Sequence, residues 1–164
     1  MTVHAIQKDN IEDLYRELIL DHARSPRHFG RLAGATHSAQ GINPLCGDKL
    51  TLHLCINEDG LIEASAFEGT GCAISVASAS LLTDAVTGLP VEAAEKAFNV
   101  VTDRLLGRTS AADEASEPAL QERVAKLRAL EGVREFPSRV KCATLAWHAL
   151  LAALRDDAKP ATTE

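Results

Sequence analysis

Cys46, Asp48, Cys72 and Cys142 are the residues of this 164-residue chain whose types and settings point to chemistry. Cys46 lies in Asn43-Pro44-Leu45-Cys46-Gly47-Asp48, a turn just ahead of a strand. Cys72 follows Gly69-Thr70-Gly71 and opens a helix, and Cys142 is placed in the first turn of the final helix. All three sit at element boundaries, where side chains can point into a shared crevice. At a helix N-terminus the unpaired N–H groups and the dipole favour a thiolate over a thiol. A thiolate is both the nucleophile and the metal-binding form. Gly47 permits a tight turn, so Cys46 and Asp48 can converge on one point. Three thiolates and a carboxylate form a tetrahedral set for Zn²⁺, labile at the carboxylate corner. Spacing alone leaves a second reading open. There is no Cys-x-x-Cys pair, and three free cysteines can equally be small buried hydrophobes. Cys55, mid-strand on the face opposite the leucines, is assigned to packing.

The elements that must position these residues follow from periodicity. Ile11, Leu14, Tyr15, Leu18 and Ile19 form one apolar helical stripe after an Asp9 or Asn10 cap, ended by Ser25-Pro26. Leu50, Leu52, Leu54 and Ile56 alternate with polar residues in a strand over 49–57. Asn57-Glu58-Asp59-Gly60 is a hairpin signal, followed by a strand over 61–68 with Ile62, Ala64 and Ala66 on one face. A further strand is expected around 35–40. Helices follow over about 73–87 and 91–106, then a polar loop over 107–118. Leu120, Val124, Leu127 and Leu130 mark a short helix stopped by Gly132, and a final helix over 138–155 is apolar nearly all round. The expected fold is α+β, a three-stranded antiparallel sheet packed against about five helices. It forms a single domain over 1–164 with a tail expected to be flexible from about Asp156.

Composition narrows the function classes. A hydrophobic fraction of 46% excludes a disordered chain. A net charge of −6 argues against nucleic acid as the main partner. No apolar run approaches the roughly 18 residues a membrane span needs. The first ten residues carry no apolar signal segment, so a cytoplasmic location is expected, where thiols stay reduced.

Cys-Gly-Asp, then Gly-x-Gly-Cys-x-Ile-Ser, then Val-Lys-Cys-x-x-Leu-Ala-Trp resembles the U-type iron–sulfur assembly family, comprising IscU, the NifU N-terminal domain and SufU. The stretch from Leu14 to His22 with Ser25-Pro26-Arg27 extends the likeness. Two features resemble the SufU branch: an insertion-like segment at about 103–136, and Lys141 where IscU-type proteins carry a histidine before the third cysteine. An ammonium group cannot coordinate a metal.

The resemblance implies zinc held by Cys46, Asp48, Cys72 and Cys142, and a SufS-type cysteine desulfurase as partner. That partner's histidine would displace Cys46, which then attacks the persulfide as the catalytic nucleophile. Downstream Suf scaffold proteins would receive the sulfur. Arg139 is a supporting residue that could pair with Asp48 or with the partner; otherwise it is a solvated surface arginine. One alternative function is an iron–sulfur cluster scaffold using nearly the same thiolates. Another is an interaction module with purely structural zinc. His4, His28, His37, His53 and His148 are not at metal spacing. His22 is placed half-buried on the first helix, and Trp147 and Tyr15 in the core.

The chain is large enough to hold a core without metal. Chelation is therefore expected to lower the melting temperature without unfolding the protein at 25 °C, as read by circular dichroism. Complete unfolding on chelation would favour the structural-zinc alternative.

Overall fold

The computed structural model describes residues 3–108, 118–156 and 161–162, with the side chains of the first helix described from Glu12 onward. Helix α1 spans Val3–Arg24. Strands β1 (His37–Asn43), β2 (Asp48–Ile56) and β3 (Ile62–Thr70) follow. Then come α2 (Ala73–Val86), α3 (Val91–Leu105), α4 (Pro118–Val124), a 3₁₀ helix (Ala125–Glu135), α5 (Pro137–Leu154) and the short β4 (Ala161–Thr162). Among the described residues no helix is long and apolar enough to cross a membrane.

The sheet corrects the expectation of three antiparallel strands. It has four strands in the order β3-β2-β1-β4, and β4 runs parallel to β1 through Gly41 and Ile42. A two-residue strand carries no period-2 signal, so its pairing is invisible in the sequence. The expected face of β3 is also corrected. Cys55 pairs with Ala64 while Ile56 pairs with Ile62, which leaves Glu63 as the extra residue of a bulge. One extra residue reverses the alternation. Ile62, Ser65 and Phe67 therefore join Leu50, Leu52 and Leu54 on the helix-facing side, and Ala64 and Ala66 lie on the other.

Helix α5 is the centre of the core. Leu145, Trp147 and Leu150 are fully buried, and α5 packs on β1, β2, α2 and α3. Gly41 allows the close approach of α5 to the sheet, since a Cβ there would meet Leu145 Cδ1 at 3.1 Å.

Helix α1 begins six residues before the expected cap at Asp9, because nothing between Val3 and Lys8 breaks a helix. It packs through its C-terminal half on α2 and the 3₁₀ helix. Leu14 is accordingly exposed rather than part of a buried stripe, Tyr15, Leu18 and Ile19 are half-buried, and His22 is fully buried.

The segment at 103–136 also differs from expectation. Val124, Leu127, Leu130 and Val133 are buried at intervals of three, and the chain takes the three-residue turn of a 3₁₀ helix straight through Gly132. Arginines anchor it. Arg123 donates to Thr87 O at the end of α2 (2.6 Å), and Arg134 donates to Arg104 O (2.5 Å). Most of the expected loop before Pro118 lies outside the described residues.

His22 ties α1 to α2. Its Nδ1 is 2.6 Å from Ser80 Oγ, which also accepts the Arg27 N–H at 2.8 Å. Burial, reinforced by the nearby Arg27 charge, holds the His22 pKa below its ordinary value. The stability this arrangement gives is present above the unfolded histidine value and is lost as pH falls through the lower folded value. With chelator present throughout, the melting temperature is expected to fall between pH 7 and pH 5, and to fall less steeply in His22→Gln. Identical slopes would contradict the assignment. His148, also lowered by burial, keeps part of the slope in the variant.

Candidate metal centre

Topology brings the candidate ligands to one end of the sheet. In the β1–β2 hairpin, Asn43 is the Cα partner of Asp48, and Pro44-Leu45-Cys46-Gly47 forms the connecting loop. Gly47 has φ +72°, the left-handed conformation that the turn requires. At the other edge of β2, Lys49 pairs with Thr70, the last residue of β3. Gly71 and Cys72 therefore emerge directly beside Asp48, and Cys72 is the N-cap of α2. The N-terminal half of α5 lays Cys142 over this corner.

The packing around Asp48 is close. It is 1% exposed, and its Oδ1 accepts the Cys72 backbone N–H at 2.8 Å. A Cβ on Gly71 would meet Asp48 Oδ1 at 3.0 Å and Ser75 Cβ at 3.1 Å, so glycine is what lets the carboxylate reach the helix end. Asn43 Nδ2 lies 3.2 Å from Asp48 Oδ2 and 3.5 Å from Cys142 Sγ. Cys142 Sγ and Cys46 Sγ are 3.4 Å apart, too far for a disulfide and close enough to share a proton or a metal.

Cys46, Asp48 and Cys142 each offer a ligand atom, and these atoms lie within 4.8 Å of one another. Ligand sulfurs about 2.3 Å from zinc stand roughly 3.8 Å apart at the corners of a tetrahedron. The donor set, soft thiolates with one carboxylate at this separation, fits such an ion. Cys72 falls outside the mutually convergent three. Its Sγ lies 3.6 Å from Ser75 Oγ and engages Cys142. Arg139 is exposed, and the negative charge that the Cys72 and Cys142 sulfurs can carry holds its pKa above the ordinary value. Cys55 stands apart on the outer sheet face, its Sγ 3.3 Å from Gly34 O.

The electrostatics sort the groups. For Asp48, burial acts to raise the pKa, but hydrogen bonds from the Cys72 N–H, Ser75, Cys142 and Asn43 together outweigh it, and the carboxyl is held below its ordinary value. Burial likewise opposes ionisation of Cys72, yet hydrogen bonds from the Ser75 N–H and hydroxyl lower its pKa on balance. Cys142 goes the other way: burial first, then its thiol's hydrogen bonds to Cys46 and Asp48, push it well above an ordinary thiol. This corrects its expected place in the first turn. Pro137 starts α5, so Cys142 lies in the second turn, beyond the unpaired N–H groups, with Ser138 O 3.5 Å from its sulfur.

Asn43 and Ser75 were not singled out by the sequence pattern. Asn43 carries one available signal, a polar residue across a four-residue loop from Asp48. Ser75 occupies the third helical position after the Cys72 cap, where a hydroxyl faces back to the helix start.

The chain is thus a small α+β fold with a Cys/Asp-rich corner at a helix N-terminus, three of whose groups could hold a metal ion. The NifU-like N-terminal domain model matches residues 14–143. The chain is 38% identical over 141 residues to the zinc-dependent sulfurtransferase SufU of Bacillus subtilis, covering 86% of this chain and 89% of that one. It is 38% identical over 148 residues to the iron–sulfur cluster assembly scaffold protein IscU of Streptococcus pyogenes, covering 90% and 87%. A crystal structure of a putative SUF-system scaffold from Fervidobacterium islandicum superposes with a TM-score of 0.71 at 30% identity, covering 84% and 94%. The chain belongs to the IscU/NifU-N family of iron–sulfur cluster assembly proteins and is of the SufU type.

In chelated protein, Cys72 is expected to react with iodoacetamide faster than Cys142 by roughly an order of magnitude, because the thiolate is the reactive form and Cys142 is buried. Peptide mass mapping reads the order. Faster modification of Cys142 would contradict the assignment.

Proposed function

We propose that this protein is a zinc-dependent sulfur acceptor and sulfurtransferase that takes persulfide sulfur from a SufS-type cysteine desulfurase and passes it to downstream Suf scaffold proteins in the cytoplasm. One observation carries the reading. Cys46 is exposed at the tip of a hairpin, while Asp48 and Cys142, within 4.8 Å of it, are buried. Of the three, Cys46 is the sulfur that can meet another protein without the core opening.

Zinc, when bound, would be held by Cys46, Asp48, Cys72 and Cys142, and it supplies a Lewis acid that keeps thiols deprotonated. Cys72, whose backbone N–H bonds Asp48 at the start of α2, would complete the set. The remaining chemistry belongs to the chain. Released toward solvent on its glycine-hinged loop, the Cys46 thiolate attacks the outer sulfur of the partner's persulfide. A new S–S bond forms on Cys46, the partner's S–S bond breaks, and the partner's cysteine leaves as a thiolate. Arg139, at the mouth of the site, offsets the negative charge of the two sulfurs that stay behind. Exposed Leu45 next to Cys46, and exposed Phe136 at the start of α5, give this end of the molecule an apolar contact surface.

A scaffold role uses nearly the same thiolates and is favoured by the equally similar IscU relative. Anaerobic reconstitution giving a stable, transferable cluster would support it.

The proposal expects about one zinc per chain in freshly purified protein. It also expects Cys46→Ala to abolish stimulation of the desulfurase, read as sulfide or alanine production. Normal stimulation by Cys46→Ala would remove Cys46 as the acceptor.

A further inference from the structure

We propose that Asn43 is a positioning residue of the metal centre: its buried carboxamide bridges Asp48 and Cys142, and lets two negatively charged ligands lie side by side. The inference rests on the zinc-binding reading above and names a residue which that reading does not use.

The geometry begins with the hairpin. Asn43 ends β1 directly opposite Asp48, and both residues point to the helix-facing side of the sheet. Asn43 is 0% exposed. Its Nδ2 is 3.2 Å from Asp48 Oδ2 and 3.5 Å from Cys142 Sγ. A carboxylate only accepts hydrogen bonds, and so does a thiolate, so the NH₂ end of the amide must face them. Its two protons match two acceptors that belong to different elements, β2 and α5.

Two consequences follow for the ligands. The Asp48 oxygens are held separately, Oδ1 by the Cys72 N–H and Oδ2 by Asn43, so the plane of the carboxylate is fixed relative to both cysteines. Cys142, once ionised, loses the proton it donates to Cys46 and keeps Asn43 as a donor, with the Arg139 positive charge nearby. Three thiolates and a carboxylate around a divalent cation leave a doubly negative group in a half-buried corner. Donors aimed at the ligand atoms lower the cost of that charge. Asn43 is a buried side chain that supplies donors to two of the four, Asp48 and Cys142.

A purely structural asparagine would affect folding and leave the ion's affinity and geometry alone. The test therefore reads the metal. Zinc affinity is measured by competition with a chromophoric chelator, and ligand geometry by the visible bands of the cobalt(II)-substituted protein. Wild type, Asn43→Asp and Asn43→Leu are compared, each checked for folding in the metal-free form by circular dichroism. Asn43→Asp keeps the shape and turns a donor into an acceptor; Asn43→Leu removes the donor without adding charge, so one folded variant suffices. Zinc affinity is expected to fall about 10–100-fold in a folded variant, with shifted cobalt bands. Affinity within about twofold of wild type and unchanged bands, or loss of folding stability alone, would overturn the role of Asn43. If wild type itself takes up neither zinc nor cobalt, the zinc-binding reading fails instead.

Discussion

An ionised carboxylate at 1% exposure is the constraint around which this corner of the fold is organised. A buried charge is costly unless hydrogen bonds replace its water. Asp48 meets that requirement from two elements at once: the Cys72 N–H and Ser75 at the start of α2, and Asn43 at the end of β1. The arrangement also explains an unusual helix start. The N-cap position normally holds Ser, Thr, Asp or Asn, whose side chain bonds the first free N–H groups. Cys72 occupies it with no side-chain cap of its own, and Asp48 supplies an acceptor from β2. The sulfur of the cap residue is thereby left for the site.

Burial rises in steps across the three cysteines. Cys46 is exposed on the hairpin loop, Cys72 is partly covered at the helix end, and Cys142 is buried in the helix at the centre of the core. Cys142 is thus the fixed point, held by the packing of α5 on the sheet, and Cys46 is the member whose movement disturbs least. The proposed role, holding an ion while releasing one thiolate, needs this inequality. The described part of the insertion-like segment, α4 and the 3₁₀ helix, packs against α1, α2, α3 and α5, and Arg123 closes the far end of the helix that Cys72 begins.

The legible parts of the sequence were those with a short period or a local motif. Alternation placed Leu50, Leu52 and Leu54 correctly, and the all-round apolar character of 138–155 identified the central helix. The Cys-Gly-Asp and Gly-x-Gly-Cys motifs put Cys46, Asp48 and Cys72 at their turns. What failed depended on partners distant in sequence or on a single shifted residue. The Glu63 bulge reversed the faces of β3, and no pattern in Ala161-Thr162 announces a fourth strand. Leu14 reads as core, but only the end of α1 has anything to pack on. The 3₁₀ helix was written in the sequence as an interval of three, beside a glycine that reads as a stop. Asn43 and Ser75 escaped because their roles exist only once β1, β2, α2 and α5 have met.

Whether Cys46 is the sulfur acceptor is decided by locating the transferred sulfur. Protein incubated with a SufS-type desulfurase and cysteine, trapped by alkylation and digested, is examined by peptide mass spectrometry. One added sulfur atom is expected on the peptide containing Cys46, with none on Cys55, Cys72 or Cys142. Added sulfur on Cys72 or Cys142 with none on Cys46, or no transfer at all, would contradict it.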